Sequence, residues 1–147
     1  MPFDALIRQG RIKPYPARDK EIQQLLKVAN RDIAAAGRNL ADDADWAYTM
    51  AYNAVLQTAR ALMLKDGYRP RGAEQHATVL EYLRERLGSQ YPNEISLFDQ
   101  MRRKRHRVIY EVAGLVSKQE AEQVVAFARD FVQKLSEAIT RQSSLGI

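Results

Sequence analysis

Residues 43–67 read DADWAYTMAYNAVLQTARALMLKDG, a stretch rich in apolar and small residues. Between Trp46 and Leu62, apolar or small side chains fall on most sides of a helix, which is typical of a helix at the centre of a bundle. Asp43 can accept hydrogen bonds from the first turn, and Gly67 can end the helix after Lys65. We therefore predict a buried central helix that runs from residue 43 to residue 65.

The segments around this helix repeat the pattern of helices separated by glycine. Apolar spacing of three and four residues predicts helices over 19–36 and 73–87, and Pro92 opens a helix that ends at Gly114. A capping box from Ser117 to Glu120 opens the last helix. Residues 1–18 are predicted as an extended lead and residues 69–72 as a loop, and no segment is a convincing strand. The expected fold is all-α, an up-and-down bundle of about five helices in one domain spanning 1–147.

The composition narrows the kinds of site that the chain can carry. It has 147 residues, a formal net charge of +5, no cysteine and two histidines, His76 and His106. The lack of cysteine excludes disulfides, thiolate catalysis and cysteine-bound zinc. Asp42, Asp43 and Asp45 fit the start of the central helix better than a metal site, so we expect neither a metal nor a cofactor. No apolar stretch approaches the roughly 20 residues that span a bilayer, and no secretion signal is evident, so we expect a cytoplasmic protein without a membrane segment.

The positive charge is concentrated in residues 101–111, which read MRRKRHRVIYE. Five of the six residues from Arg102 to Arg107 are Lys or Arg, as many charges as the net charge of the whole chain. With about 3.6 residues per turn, the helix that carries them separates into two faces. The face expected to be buried holds Leu97, Phe98, Met101, Val108, Ile109 and Val112, and the exposed face holds Arg103, His106, Arg107 and Tyr110.

Arg105 does not fit this division, because its direction lies within the apolar stripe, beside Met101 and Val108. A guanidinium group there needs a carboxylate, a carbonyl oxygen or an aromatic face. The alternative is that its stem packs while its charged end reaches the rim of the helix. Both interpretations stay open on periodicity alone.

Three stretches together resemble the HEPN domains of bacteria and archaea. They are residues 51–67 (AYNAVLQTARALMLKDG), 76–83 (HATVLEYL) and 98–111 (FDQMRRKRHRVIYE), and the resemblance covers about 46–135. It implies a helical bundle, a homodimer, and a late helix with an Arg and a His five positions after it. In active members, Arg and His from two protomers build a metal-independent RNase site, in which Arg binds phosphate and His assists 2′-hydroxyl attack. Many relatives are toxins paired with a nucleotidyltransferase antitoxin, so a nucleotidyltransferase is an implied partner.

In this chain the motif is Arg-x4-Tyr, with Arg105 as its arginine, His106 at the polar position and Tyr110 where the histidine stands in the family. The other frame, from Arg102 to His106, has three intervening residues where the family has four to six, which would turn the pair by about 100° around the helix. A free phenol ionises near pH 10 and a free imidazole near 6.5, so tyrosine shuttles protons poorly at neutral pH. The residues that match the catalytic positions are Arg105, His106 and Tyr110, and the surrounding cations Arg102, Arg103, Lys104 and Arg107 are predicted to bind nucleic acid.

Two further features leave alternatives open. His76 lies on the same face as Val79 and Leu83, so it is either a hydrogen-bonded structural histidine or an accessory group that points toward the site. A polar stripe on the central helix suggests an interface with a second copy, which we favour, or a lining for the Arg105 pocket. The stripe consists of Thr49, Asn53, Gln57 and Arg60.

These observations give two hypotheses of different class. The first is an RNA-associated HEPN-like protein, acting as a weak or degenerate metal-independent RNase or as the toxin-like half of a two-component system. The second is a non-catalytic helical dimerisation or adaptor module that binds a protein partner through the basic face.

Overall fold

The computed structural model describes residues 3–111 and 113–145, so Met1 and Pro2 of the predicted lead and Val112 of the predicted buried stripe lie outside the described residues. Six helices and two short strands lie within this part of the chain. In chain order they are α1 (Asp4–Arg8), β1 (Ile12–Pro14), α2 (Asp19–Asn39), α3 (Ala44–Asp66), β2 (Tyr68–Pro70), α4 (Gln75–Leu87), α5 (Pro92–Tyr110) and α6 (Lys118–Leu145). The all-α helical bundle predicted from the sequence is confirmed.

The central helix α3 begins and ends through the groups that the sequence indicated. The carboxylate of Asp43 accepts a hydrogen bond from the backbone N–H of Trp46 at 3.0 Å. Gly67 adopts a left-handed backbone with φ of 98°, and its N–H donates to the carbonyl of Leu64. Because α3 packs against α2, α4, α5 and α6, residues on nearly all of its sides are buried.

The helix that carries the basic run is shorter than predicted. It ends at Tyr110 rather than at Gly114. The reason lies in the loop that follows, where the N–H groups of Gly114 and Val116 donate to the carboxylate of Asp45 at 2.7 and 3.0 Å. These N–H groups are thereby bound to the start of α3 instead of to helical carbonyls, so the loop is tied to the bundle.

The N-terminal lead is not simply extended. Residues 4–8 form α1, whose Leu6 is buried, and residues 12–14 form β1, which pairs antiparallel with β2. In this pairing Ile12 lies opposite Pro70, so residues 69 and 70 of the predicted loop belong to a strand. The sequence did not reveal the strands because each has only three residues and the pairing joins segments far apart in the chain.

Part of the polar stripe of α3 is hydrogen-bonded to α2 of the same chain. The side-chain amide of Asn53 donates to the buried carboxylate of Asp32 on α2 at 2.5 Å, and Gln57 donates to Asn53 at 3.2 Å. Among the described residues, these polar groups therefore have partners within one chain, although the sequence favoured an interface with a second copy.

Candidate functional site

Helix α5 presents the basic run as the helical periodicity predicts, except that Leu97 is only half-buried and Ile109 is exposed. Phe98, Met101 and Val108 are buried in the core. Ile109, which the sequence placed on the buried stripe, is exposed, because it lies at the edge of that stripe and one residue before the helix ends. The opposite face of α5 is open to solvent.

Asp99 organises the first part of the run. Its carboxylate is almost fully buried and accepts hydrogen bonds from Arg84 on α4, and from Arg102 and Arg103 one helical turn further along α5, all at 3.0–3.1 Å. Burial by itself would raise the pKa of Asp99, but the hydrogen bonds and positive charges of these arginines outweigh it and hold the pKa below the ordinary value. Asp99 therefore stays ionised and neutralises part of the charge of the run.

The next cations also have carboxylate partners. Lys104 donates to both oxygens of Glu120 on α6, at 2.6 and 2.9 Å. The Nε atom of Arg107 lies 3.7 Å from a carboxylate oxygen of Glu111, the residue just after α5, in a looser and exposed pair. Of the four residues predicted to bind nucleic acid, Arg102, Arg103, Lys104 and Arg107, each is thus ion-paired within the chain.

Arg105 differs from all of these. Among the described residues it has no carboxylate partner, and its buried Nε atom has no hydrogen-bond partner. Its guanidinium carbon lies 5.4 Å from the centroid of the Tyr52 ring on α3, so its head rests on an aromatic face. An aromatic ring satisfies the charge in part but not the N–H groups, and an unpaired buried donor costs free energy. Arg105 is the cation of the run that remains available to an anion.

Tyr52 connects Arg105 with His76 on α4. The Tyr52 hydroxyl lies 2.9 Å from His76 Nδ1, and the two ring centroids are 5.8 Å apart. Burial lowers the pKa of His76, and the positive charges of Arg105, Arg60 and Arg102 lower it further, so the imidazole is neutral at pH 7. Burial raises the pKa of Tyr52, so its hydroxyl keeps its proton. We assign that hydroxyl as the donor to Nδ1, which leaves the hydrogen of the neutral imidazole on Nε2.

His106 and Tyr110 form a separate pair on the exposed face. Their ring centroids lie 5.0 Å apart, as expected for residues four positions apart on one helix, and Tyr110 is 67% exposed. Arg105 points away from them, toward Tyr52. Within one chain, the three residues that match the family's catalytic positions are therefore not brought together, and the histidine beside Arg105 is His76.

Sequence reasoning missed two residues of this site. Asp99 lies three and four positions before Arg102 and Arg103, a spacing that favours ion pairs on a helix, so the signal for it was present. The second, Tyr52, lies in the predicted buried central helix, where the sequence singles out no role for it. It is indeed fully buried, but its contact with Arg105 depends on how α3 and α5 pack, which periodicity does not supply.

Two further features are absent from the described residues: a metal site and a membrane-spanning helix. Between residues 3 and 111 and between 113 and 145, no three His, Asp or Glu side chains lie close enough to hold a metal ion. In the same part of the chain, no helix combines the length and apolarity needed to cross a bilayer.

The chain is thus a small helical bundle whose late helix carries an arginine that faces an aromatic ring and has no acidic partner among the residues described. The model of the HEPN domain family matches residues 22–138, most of the chain. The chain therefore belongs to the HEPN family. No curated protein matches it.

Proposed function

We propose that this HEPN protein binds RNA and that Arg105 holds a phosphate group of the RNA backbone. The observation that carries the proposal is that Arg105, alone among the cations of the run, has no carboxylate partner in the described residues and has a buried, unpaired Nε. Arginine presents a planar fork of N–H donors that matches phosphate oxygens. The half-exposed and paired cations around it add a weaker, sequence-independent attraction to the backbone.

The proposed role in the cell is that of a toxin-like component with weak, metal-independent RNase activity, paired with a nucleotidyltransferase. Arg105, His106 and Tyr110 are the proposed catalytic residues. Because His106 and Tyr110 lie on a different face of α5 from Arg105, the three can act on one phosphate only if a second protomer contributes, so the proposal includes a homodimer. A nucleotidyltransferase gene next to this one in its genome would support the pairing.

The proposal is tested by fluorescence anisotropy with a labelled single-stranded RNA over a range of salt concentrations. We expect the affinity of the native chain to fall steeply with salt, since phosphate contacts release counterions. Arg105→Gln should weaken binding about tenfold or more, because hydrogen bonds to charged groups contribute about 1.5–3 kcal/mol.

Arg107→Gln is the matched control, because it removes the same charge from an exposed position of the same helix. We expect it to weaken binding only about two- to threefold, as for a loosely held surface charge. Circular dichroism establishes that both variants fold. Binding that does not depend on salt, or equal losses for the two variants, would contradict the proposal.

A second candidate function is that of a non-catalytic dimerisation or adaptor module. It is favoured by the large aromatic side chains on the surface, since Trp46 is 51% exposed and Tyr110 67%. Such residues are enriched where proteins bind one another. Trp46→Ala and Tyr110→Ala test it by sedimentation velocity: loss of self-association in these variants, together with no RNA binding by the native chain, would favour the adaptor function.

A further inference from the structure

The Tyr52 ring contacts two groups that come from different helices. The guanidinium carbon of Arg105 lies 5.4 Å from the ring centroid, and the His76 ring centroid lies 5.8 Å from it. Both groups have unused donors: Arg105 has no acidic partner among the described residues, and His76 is bonded at Nδ1, so that Nε2 remains. A fixed cation from α5 and a neutral N–H donor from α4 therefore both lie against one ring on α3.

We propose that His76 is a second ligand of the phosphate held by Arg105, with its Nε2–H donating to a phosphate oxygen, and that Tyr52 is the positioning residue that fixes this tautomer. This inference rests on the proposed function and extends it, because it places the phosphate on the side of α5 that faces α3 and α4. The ligand is a phosphodiester group of RNA, and inorganic phosphate is its smallest probe.

The exposed histidine does not fit this role within one chain. His106 stands next to Arg105 in sequence, about 100° away around the helix, and its ring packs against Tyr110. His76 instead comes from the second residue of α4 and reaches the ring on which the Arg105 guanidinium rests. Arg105 and His76 thus contact the same aromatic ring within one chain.

The surrounding charges favour an anion at this position. The groups whose charge acts on His76 are Arg60 from α3 and Arg102 and Arg105 from α5, all positive. Asp99 acts on the Tyr52 hydroxyl but is already bound to Arg84, Arg102 and Arg103. A phosphate would offset the arginine charges that oppose protonation of the imidazole, so binding should raise the pKa of His76.

The first experiment follows the two histidine rings by NMR while inorganic phosphate is added to the full chain. The chain has only two histidines, so an His106→Gln variant assigns both signals. We expect the His76 signal to move with phosphate and its pKa to rise, the His106 signal to stay, and Arg105→Gln to remove the effect. If His106 moves and His76 does not, the inference is wrong.

The second experiment measures RNA affinity in a matched set of variants. His76→Leu should weaken binding about fivefold, whereas His76→Gln, whose amide can donate from near the Nε2 position, should retain most of it. Tyr52→Phe keeps the ring under Arg105 and removes only the hydroxyl. It should shift the ¹⁵N signals of His76 toward a mixture of tautomers, which a purely structural role for Tyr52 would not do.

The outcomes separate this inference from the proposed function. If RNA binding depends on Arg105 but is the same in His76→Leu and the native chain, His76 is not a ligand and the proposed function stands. If the native chain does not bind RNA while phosphate moves His76 in an Arg105-dependent way, the anion site is supported and RNA as its ligand is wrong. If neither probe binds, both proposals are wrong.

Discussion

Asp99→Asn should change stability and RNA binding in opposite directions. The side chain of Asp99 is 10% exposed, while those of its partners Arg102, Arg84 and Arg103 are 29%, 49% and 73% exposed. Removing one member of a fully buried ion pair costs about 3–5 kcal/mol, because a buried charge is left unpaired. Here the arginines can turn to solvent, and asparagine keeps one acceptor, so we expect a loss of about 2 kcal/mol.

This loss is measured by thermal and urea unfolding. For a chain of this length it corresponds to a melting temperature about 4–8 °C lower. The pKa of Asp99 lies below its ordinary value in the folded protein, so its contribution is fully present above about pH 4, where the unfolded carboxyl group is also ionised. The difference between native chain and variant should therefore disappear as the pH falls below 4.

The same substitution frees Arg102 and Arg103 for phosphate. Each added phosphate contact steepens the dependence of log K on log salt by about 0.7 for single strands, so RNA binding should become tighter and more salt-dependent. Glu137→Gln is the matched control, because it makes the same charge change on the exposed surface of α6, in the groove between α2 and α6. A folded Asp99→Asn variant whose RNA affinity and salt slope equal those of Glu137→Gln would show that Arg102 and Arg103 are not released to bind phosphate.

Three further results are expected. Tyr110→His restores the family's Arg-x4-His spacing and should raise cleavage of a labelled RNA above that of the native chain, as seen on a denaturing gel; equal cleavage would weaken the nuclease proposal. Asp45→Asn should lower the free energy of unfolding by about 1–2 kcal/mol, because the carboxylate accepts from both Gly114 and Val116, whereas Asp42→Asn at an exposed position should have little effect in the same urea titration. Because the folded pKa of His76 is lowered, the unfolded chain takes up its proton first as the pH falls, so stability should be constant above about pH 6.5 and decrease below it. Urea titrations at several pH values should find this decrease smaller in His76→Gln and unchanged in His106→Gln.

The sequence predicted the helices well because their ends are encoded locally. Asp43, Gly67 and Ser117 each act within three residues of a helix end, and apolar spacing shows which face of each helix is buried. The end of α5 was predicted wrongly because it depends on Asp45, a residue far away in the chain. The strand pairing between β1 and β2 was not predicted for the same reason, because the two strands lie far apart in the chain.

The candidate site was predicted only in part, for the same reason. Interactions between residues close in the sequence can be predicted from their spacing, whereas contacts between distant segments cannot. Periodicity placed Arg105 within the apolar stripe and named an aromatic face among its three kinds of partner, but left open that its charged end reaches the rim of the helix. That the face belongs to Tyr52, and that His76 lies on the same ring, follows from the packing of three helices. Asp99, by contrast, could have been predicted from the sequence, because it lies only three and four positions before Arg102 and Arg103.

The proposed contact between Arg105 and an RNA phosphate is the basis of the proposed function. It is tested most directly by a crystal structure of the chain with a short RNA whose 2′-hydroxyls are methylated to prevent cleavage. We expect a phosphate oxygen about 2.7–2.9 Å from a guanidinium nitrogen of Arg105, the usual length of a charge-assisted hydrogen bond. A bound RNA whose phosphates contact only other surfaces, with Arg105 still resting on Tyr52 and no phosphate beside it, would contradict the account.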